Sequence, residues 1–157
     1  MRLTTKSSYG VRALISLAIM YDRKRPVPIK DISREEEISG VYLEQIFNRL
    51  KNQGLVRSIR GPGGGYALVR DPSDISVYEV VMALEGSVNP VRCVSGKGEK
   101  KECGRIATCA SKEVWREMAR RIKETLGDFS LRDLAGRTLE LDPGKARKAQ
   151  LYEKSLS

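Results

Sequence analysis

The chain has 157 residues, 40% hydrophobic and 31% charged, which fits a soluble protein of one domain, or one compact domain with an appended element. Its 29 Lys and Arg against 20 Asp and Glu give a net charge of +9, and residues 1–70, with 13 basic and 6 acidic side chains, hold most of that excess. An electropositive N-terminal half points to a polyanionic partner, nucleic acid ahead of a membrane surface, and the longest apolar run, Ala13–Met20, is too short to span a bilayer.

The first predicted helix covers Thr5–Tyr21. Its Val11, Leu14, Ile15, Ala18 and Ile19 recur at i, i+3, i+4, i+7 and i+8, the core-facing stripe of a globular helix. The following "YDRKRPVP" has no small-x-small cleavage site, so the start of the chain is not read as a secretion signal and the protein is expected in the cytoplasm. The prolines of "RKRPVP" break the helix. A short helix near Ile29–Glu36 follows, then a break at Ser39 and Gly40, then a stronger helix to about Asn52 that Gly54 closes. Two short strands, "LVRSI" and "YALVR", flank the turn "RGPGGG". Ser76 and Glu79 have capping-box spacing at the head of "SVYEVVMALEG", which Gly86 ends. A polar, glycine-bearing loop follows. Ser111 is then expected to cap a helix whose Trp115, Met118, Ala119, Ile122 and Leu126 share one face, and Ser130 with Asp133 opens a last short helix. From Asp142 the chain is polar with little periodicity and reads as a mobile tail.

Two short helices about a glycine-containing break suit a helix-turn-helix. In the second, Leu43, Ile46, Phe47 and Leu50 form the docking stripe, while Tyr42, Gln45, Arg49 and Asn52 lie on another face. That face offers an amide for adenine, a guanidinium for guanine or phosphate, and a phenol for phosphate. Ser39 can cap the helix or meet a phosphate at its N-terminus. The hairpin tip is almost free of side chains and is flanked by Arg57, Arg60 and Arg70, so Gly61, Gly63, Gly64 and Gly65 allow close approach of backbone to a sugar-phosphate chain while the arginines supply charge. A helix-turn-helix followed by such a hairpin is a winged helix. "GPGGGY" as a nucleotide-phosphate loop is disfavoured: it lacks the G-K-[ST] ending and joins strand to strand.

All three cysteines, Cys93, Cys103 and Cys109, sit in the polar loop at C-x9-C-x5-C spacing. An odd count in a cytoplasmic chain argues against a disulfide framework and for free thiols or a metal. Thiolates select zinc, copper(I) or an iron-sulfur cluster. Lys97, Lys100, Lys101, Arg105 and Lys112 would lower the thiol pKa values and offset the charge of a thiolate-bound centre. With no histidine, no convergent acid pair and no nucleophile motif, the sequence does not read as an enzyme.

"MRLTTKSSYGVRAL", "DISREEEISGVYLEQIFNRLKNQGLVRSIRGPGGGYAL" and three cysteines before a tryptophan-containing helix resemble, over roughly residues 1–140, the winged-helix regulators that include the iron-sulfur cluster regulator IscR. The nitric-oxide sensor NsrR and the cysteine-metabolism repressor CymR are related. The resemblance implies a mainly α fold with a small β-hairpin. It implies a winged helix-turn-helix domain over residues 1–86, a cluster-binding loop over 87–110, a dimerisation helix and short final helix over 111–140, and a tail over 141–157. It further implies a homodimeric transcription factor on a pseudo-palindromic operator of double-stranded DNA. Ser39, Tyr42, Glu44 and Gln45 would face the major groove, and Arg60 with the wing, Tyr66 included, would reach the minor groove. Glu44 would bear on operator choice, because a carboxylate can only accept a hydrogen bond there, for instance from cytosine N4. The cysteines would ligate a cluster, [2Fe-2S] by likeness to IscR, delivered by cluster-assembly proteins, in a regulator of cluster-assembly genes. A nitric-oxide or redox-sensing [4Fe-4S] repressor and a metal-free regulator controlled by a partner protein are the alternatives. Two departures stand out. The first cysteine gap is longer than the usual one, and the position of the family's ligand histidine holds Lys112, while the aspartate that NsrR uses falls near Ser8. The fourth ligand is therefore open between Lys112, Glu102, Glu113, Ser111, the partner chain and solvent.

Overall fold

A computed structural model describes residues 3–21, 25–94, 104–105 and 107–154 of the chain. In chain order the elements are α1 (Thr5–Ile19), α2 (Ile29–Glu36), α3 (Gly40–Asn52), β1 (Val56–Ile59), β2 (Gly65–Leu68), α4 (Val77–Glu85), α5 (Ser111–Gly127), α6 (Leu131–Leu141) and α7 (Pro143–Lys154), with 3-10 turns at Pro72–Asp74 and Arg92–Val94. The fold is mainly α with one two-stranded antiparallel hairpin, as the sequence predicts.

Local chemistry sets most boundaries. Thr4 caps α1 by accepting from the Lys6 amide, and the helix stops at Ile19 rather than at Tyr21. The capping boxes at Ser76 with Glu79 and at Ser130 with Asp133 are both formed, and Gly86 ends α4 at φ 78°. Ser111 does not cap α5. Ala110 already has helical dihedrals, so Ser111 lies inside the first turn and makes no capping bond.

The core is built by Ala13, Leu14 and Leu17 of α1, Ile32 of α2, Leu43, Ile46, Phe47 and Leu50 of α3, Val80 and Leu84 of α4, and Leu131 and Ala135 of α6. Helices α1 and α4 meet at Gly10, where a Cβ would lie 2.2 Å from Leu84 Cδ1. Across the same junction Glu85 accepts from the Thr4 amide (3.1 Å) and from the hydroxyls of Thr4 (2.7 Å) and Ser7 (2.6 Å). Helix α6 docks onto this module, with the Leu131 amide on the Ile75 carbonyl and the Val77 amide on the Phe129 carbonyl, each at 2.9 Å.

Residues 143–154 form a helix where the sequence, polar and with little periodicity, reads as a mobile tail. The Asp142 side chain accepts from the amides of Gly144 (2.9 Å) and Lys145 (3.1 Å), and Ala, Lys, Arg, Gln and Leu favour the helix that follows. Among the described side chains its anchorage shows no apolar stripe, which is why periodicity misses it. Ala149 is buried, and Lys145 pairs with Glu36 of α2. Glu36, only 6% exposed, also accepts from Arg12 Nε (3.0 Å) and Ser16 Oγ (3.2 Å) of α1. One buried carboxylate thus ties α1, α2 and α7 together.

Candidate nucleic-acid interface and cysteine loop

The turn between α2 and α3 is set by Glu37, at φ 55° and ψ 41°, whose amide bonds back to the Ser33 carbonyl. The Ser33 hydroxyl donates to the Ile38 carbonyl (2.6 Å), and the Ile38 amide returns to the Ser33 carbonyl (3.1 Å). These bonds fix the angle at which α3 leaves α2. Leu43, Ile46, Phe47 and Leu50 then bury one side of α3 against the core.

The predicted contact residues fall into three groups. Ser39, Glu44 and Gln45 are exposed on α3 or at its N-terminus, and Ser39 makes no side-chain capping bond. Tyr42 lies on the flank, half-buried, with its ring edge-on to Tyr9 at 5.9 Å. Arg49 donates through Nη1 to the Leu84 carbonyl (3.2 Å) near the end of α4, a position where a cation meets the negative end of the helix. The ridge opposite the buried stripe is Val41, Gln45, Asn48 and Asn52, all exposed. Sequence reasoning omitted Val41 and Asn48. Phasing the helix against the buried positions, at about 100° per residue, would have found both.

In the hairpin Val56 pairs with Leu68, Arg57 with Ala67, Ser58 with Tyr66 and Ile59 with Gly65. Arg57, Arg60 and Gly61 are exposed, and the Gly64 amide closes the tip onto the Gly61 carbonyl (2.9 Å). Gly61 and Gly63 hold φ 97° and 73° with open space where a Cβ would be, so these two need glycine for their backbone angles. Gly64 and Gly65 need it for space. A Cβ on Gly64 would lie 2.3 Å from the Ile59 carbonyl oxygen, and one on Gly65 2.3 Å from that of Val27. Tyr66 stacks on Phe47 at 4.4 Å, and its backbone makes both hydrogen bonds of a bridge to Val27. Gly65 and Tyr66 therefore seat the wing on the helical core. Arg70 pairs with Glu79 at the base of the hairpin.

Of the cysteines, Cys93 and Cys109 are half-buried and free, and Cys103 lies outside the described residues, as do Lys97, Lys100, Lys101 and Glu102. Cys109 Sγ lies 3.1 Å from the Ser111 hydroxyl. That contact, then the Lys112 amide, and further the Ser111 amide and the charge of Arg105, hold the Cys109 thiol below its ordinary pKa against the opposing effect of burial. That direction favours the thiolate that soft metals and iron-sulfur clusters bind, so the chemistry of Cys109 suits such a group. Of the fourth-ligand candidates, Ser111 stands beside Cys109. Among the described residues no group of three metal-ligating side chains is assembled.

Immediately after Cys109, α5 carries Trp115, Ala119, Ile122 and Leu126 half-buried, with Val114 and Met118 61% and 42% exposed. No residue of α5 is fully buried within the single chain. Its polar side holds a network in which Arg120 bonds Glu117 (2.7 Å) and Glu124 (2.6 Å), and Arg121 bonds Glu117 (2.7 Å). No helix among the described residues is long and apolar enough to cross a membrane.

The comparisons agree with this arrangement. Residues 3–137 match the family model Rrf2, described as an iron-dependent transcriptional regulator. The HTH-type transcriptional regulator IscR of Xenorhabdus nematophila is 43% identical over 142 residues, which is 90% of this chain and 84% of the relative. Among solved structures, T. potens IscR superposes with a TM-score of 0.71 at 32% identity, covering 90% of this chain and 91% of that one. CymR, the global cysteine regulator of B. subtilis, gives 0.69 at 33% identity, covering 87% and 98%. A helix-turn-helix with its outer ridge exposed, a glycine-tipped basic hairpin seated beside it and a match running through both place the chain in the Rrf2 family: it is a DNA-binding transcriptional regulator, not an enzyme.

Proposed function

We propose that the chain is a cytoplasmic, homodimeric transcriptional regulator whose grip on a pseudo-palindromic operator depends on an iron-sulfur cluster, [2Fe-2S], held by Cys93, Cys103 and Cys109. Ser39, Tyr42, Glu44 and Gln45 would enter the major groove. Arg57 and Arg49 would meet phosphates, and Arg60 with Gly61, Gly63 and Gly64 would reach the minor groove. Gly65 and Tyr66 hold the wing in place for that contact. The regulated genes would be those of cluster assembly, whose products would also load the cluster.

The observation that carries the sensing half is the place of Cys109, whose Sγ lies 3.1 Å from the Ser111 hydroxyl two residues before the start of α5. A bound cluster supplies redox lability and a response to cluster supply. The chain's own residues do the rest: Ser111 and the Lys112 amide orient and stabilise the thiolate, and Arg105 offsets its charge. The partly uncovered apolar side of α5 would pack on its two-fold mate, so an event at Cys109 would reach the angle between two wings. Anaerobic reconstitution tests this half. The expected outcome is a coloured protein whose visible absorption is lost in the triple Cys→Ala variant; a colourless protein with one zinc contradicts it. The likeness to CymR, a global cysteine regulator, favours a second reading: a metal-free regulator controlled by a partner protein, in which the triple variant would bind DNA unchanged.

A further inference from the structure

The outer ridge of α3 ends in an apolar residue. Val41 is 69% exposed and is the one apolar side chain among the exposed residues of the helix. It stands in the first turn, the end that leads a recognition helix into the major groove. Before it comes Gly40, where an added Cβ would meet nothing nearer than Ser33 Oγ at 4.0 Å. The backbone angle at Gly40 is not left-handed either, so nothing among the described residues demands glycine there. Together the two residues present a pair of methyl groups at the tip of α3 with no side chain on the residue before them. Base edges in the major groove offer donors and acceptors, which a valine cannot engage, and one apolar feature, the C5 methyl of thymine.

We propose that Val41 reads a thymine by packing its γ-methyls against that C5 methyl, an inference that rests on α3 being the recognition helix. Burying two methyl surfaces against each other favours thymine over cytosine at the same place, without a hydrogen bond. Gln45, one turn along the same ridge, would supply the polar half of the readout.

The test uses an operator duplex selected from a random library by the full-length protein. Each thymine is replaced in turn by deoxyuridine, which keeps every hydrogen-bonding group and lacks only the methyl. The wild-type protein is expected to lose about fourfold in affinity at one position, the value of one buried methyl group. Val41→Ser is expected to bind the thymine and deoxyuridine duplexes alike there and Val41→Ala to show a smaller difference than the wild type, with unchanged circular dichroism. If no thymine methyl matters, or the loss persists in both variants, the assignment to Val41 is overturned while specific binding stands. If no sequence is selected at all, the reading of α3 fails and the inference with it.

Discussion

Glu37 occupies the left-handed region in the turn of the helix-turn-helix, where a side chain costs about 1–2 kcal/mol that glycine avoids. Glycine loosens the unfolded chain by part of that amount. Glu37→Gly is thus expected to raise stability by about 0.5–1 kcal/mol in denaturant unfolding; a loss would mean that the carboxylate is held by something beyond the turn. Glu36, its neighbour, behaves oppositely. Replacing it with Ala leaves Arg12, Ser16 and Lys145 without their shared acceptor and is expected to cost about 1–3 kcal/mol, with helicity lost from α7. Nothing in the sequence marks either residue, because "REEE" gives no sign of which glutamate is buried and which takes the left-handed turn. Glu44, by contrast, lies exposed on α3 as its place off the buried stripe predicts, and on the proposed function Glu44→Ala should relax sequence preference in a gel-shift series over variant operators. Equal affinities of wild type and variant for every operator would contradict this.

Elements were legible where their chemistry is local. Both capping boxes, the glycine stop of α4 and the docking stripe of α3 could be read from spacing alone, since each depends on residues within one or two turns. The wing was legible as a hairpin but not in its seating. The bridge from Tyr66 to Val27 and the stack on Phe47 join distant parts of the chain, so Gly65 and Tyr66 read as DNA contacts when their visible partners are internal. This distinction is testable. Gly65→Ala drives a Cβ into the Val27 backbone and is expected to lower the melting temperature and loosen operator binding together, whereas Gly61→Ala meets open space and costs about 1–2 kcal/mol of backbone strain alone. Equal melting temperatures for the two variants would show that the bridge does not hold the wing. Helix α7 was misread for a related reason, its anchor being one alanine and ion pairs to α2.

Five of the described carboxylates, Asp71, Glu79, Glu85, Glu117 and Asp133, are held below their ordinary values. The Ser73 hydroxyl lowers Asp71, Ser130 lowers Asp133, and Arg120 with Arg121 takes Glu117 to about 2. At Glu79 and Glu85 burial opposes the shift, but the Ser76 amide with Arg70, and Ser7 with Thr4, outweigh it. Folded values below unfolded ones contribute stability above the unfolded range, near pH 4, and lose it as pH falls through the folded values. With no histidine in the chain, melting temperature should hold from pH 7 to about 5 and fall below about 4.5; a decline already under way at pH 6 would contradict this. Assembly is tested separately by Met118→Asp, whose exposed position spares the monomer's core: light scattering is expected to show a dimer become a monomer. The proposed function couples the cysteine loop to the exposed ridge of α3. Its most direct measurement is operator affinity, at one fixed salt concentration, for anaerobically reconstituted protein, apo-protein and the triple Cys→Ala variant. Reconstitution is expected to change the affinity of the wild type, and the variant to bind as the apo-protein does whether or not it has been through reconstitution. A single affinity shared by all three would contradict it.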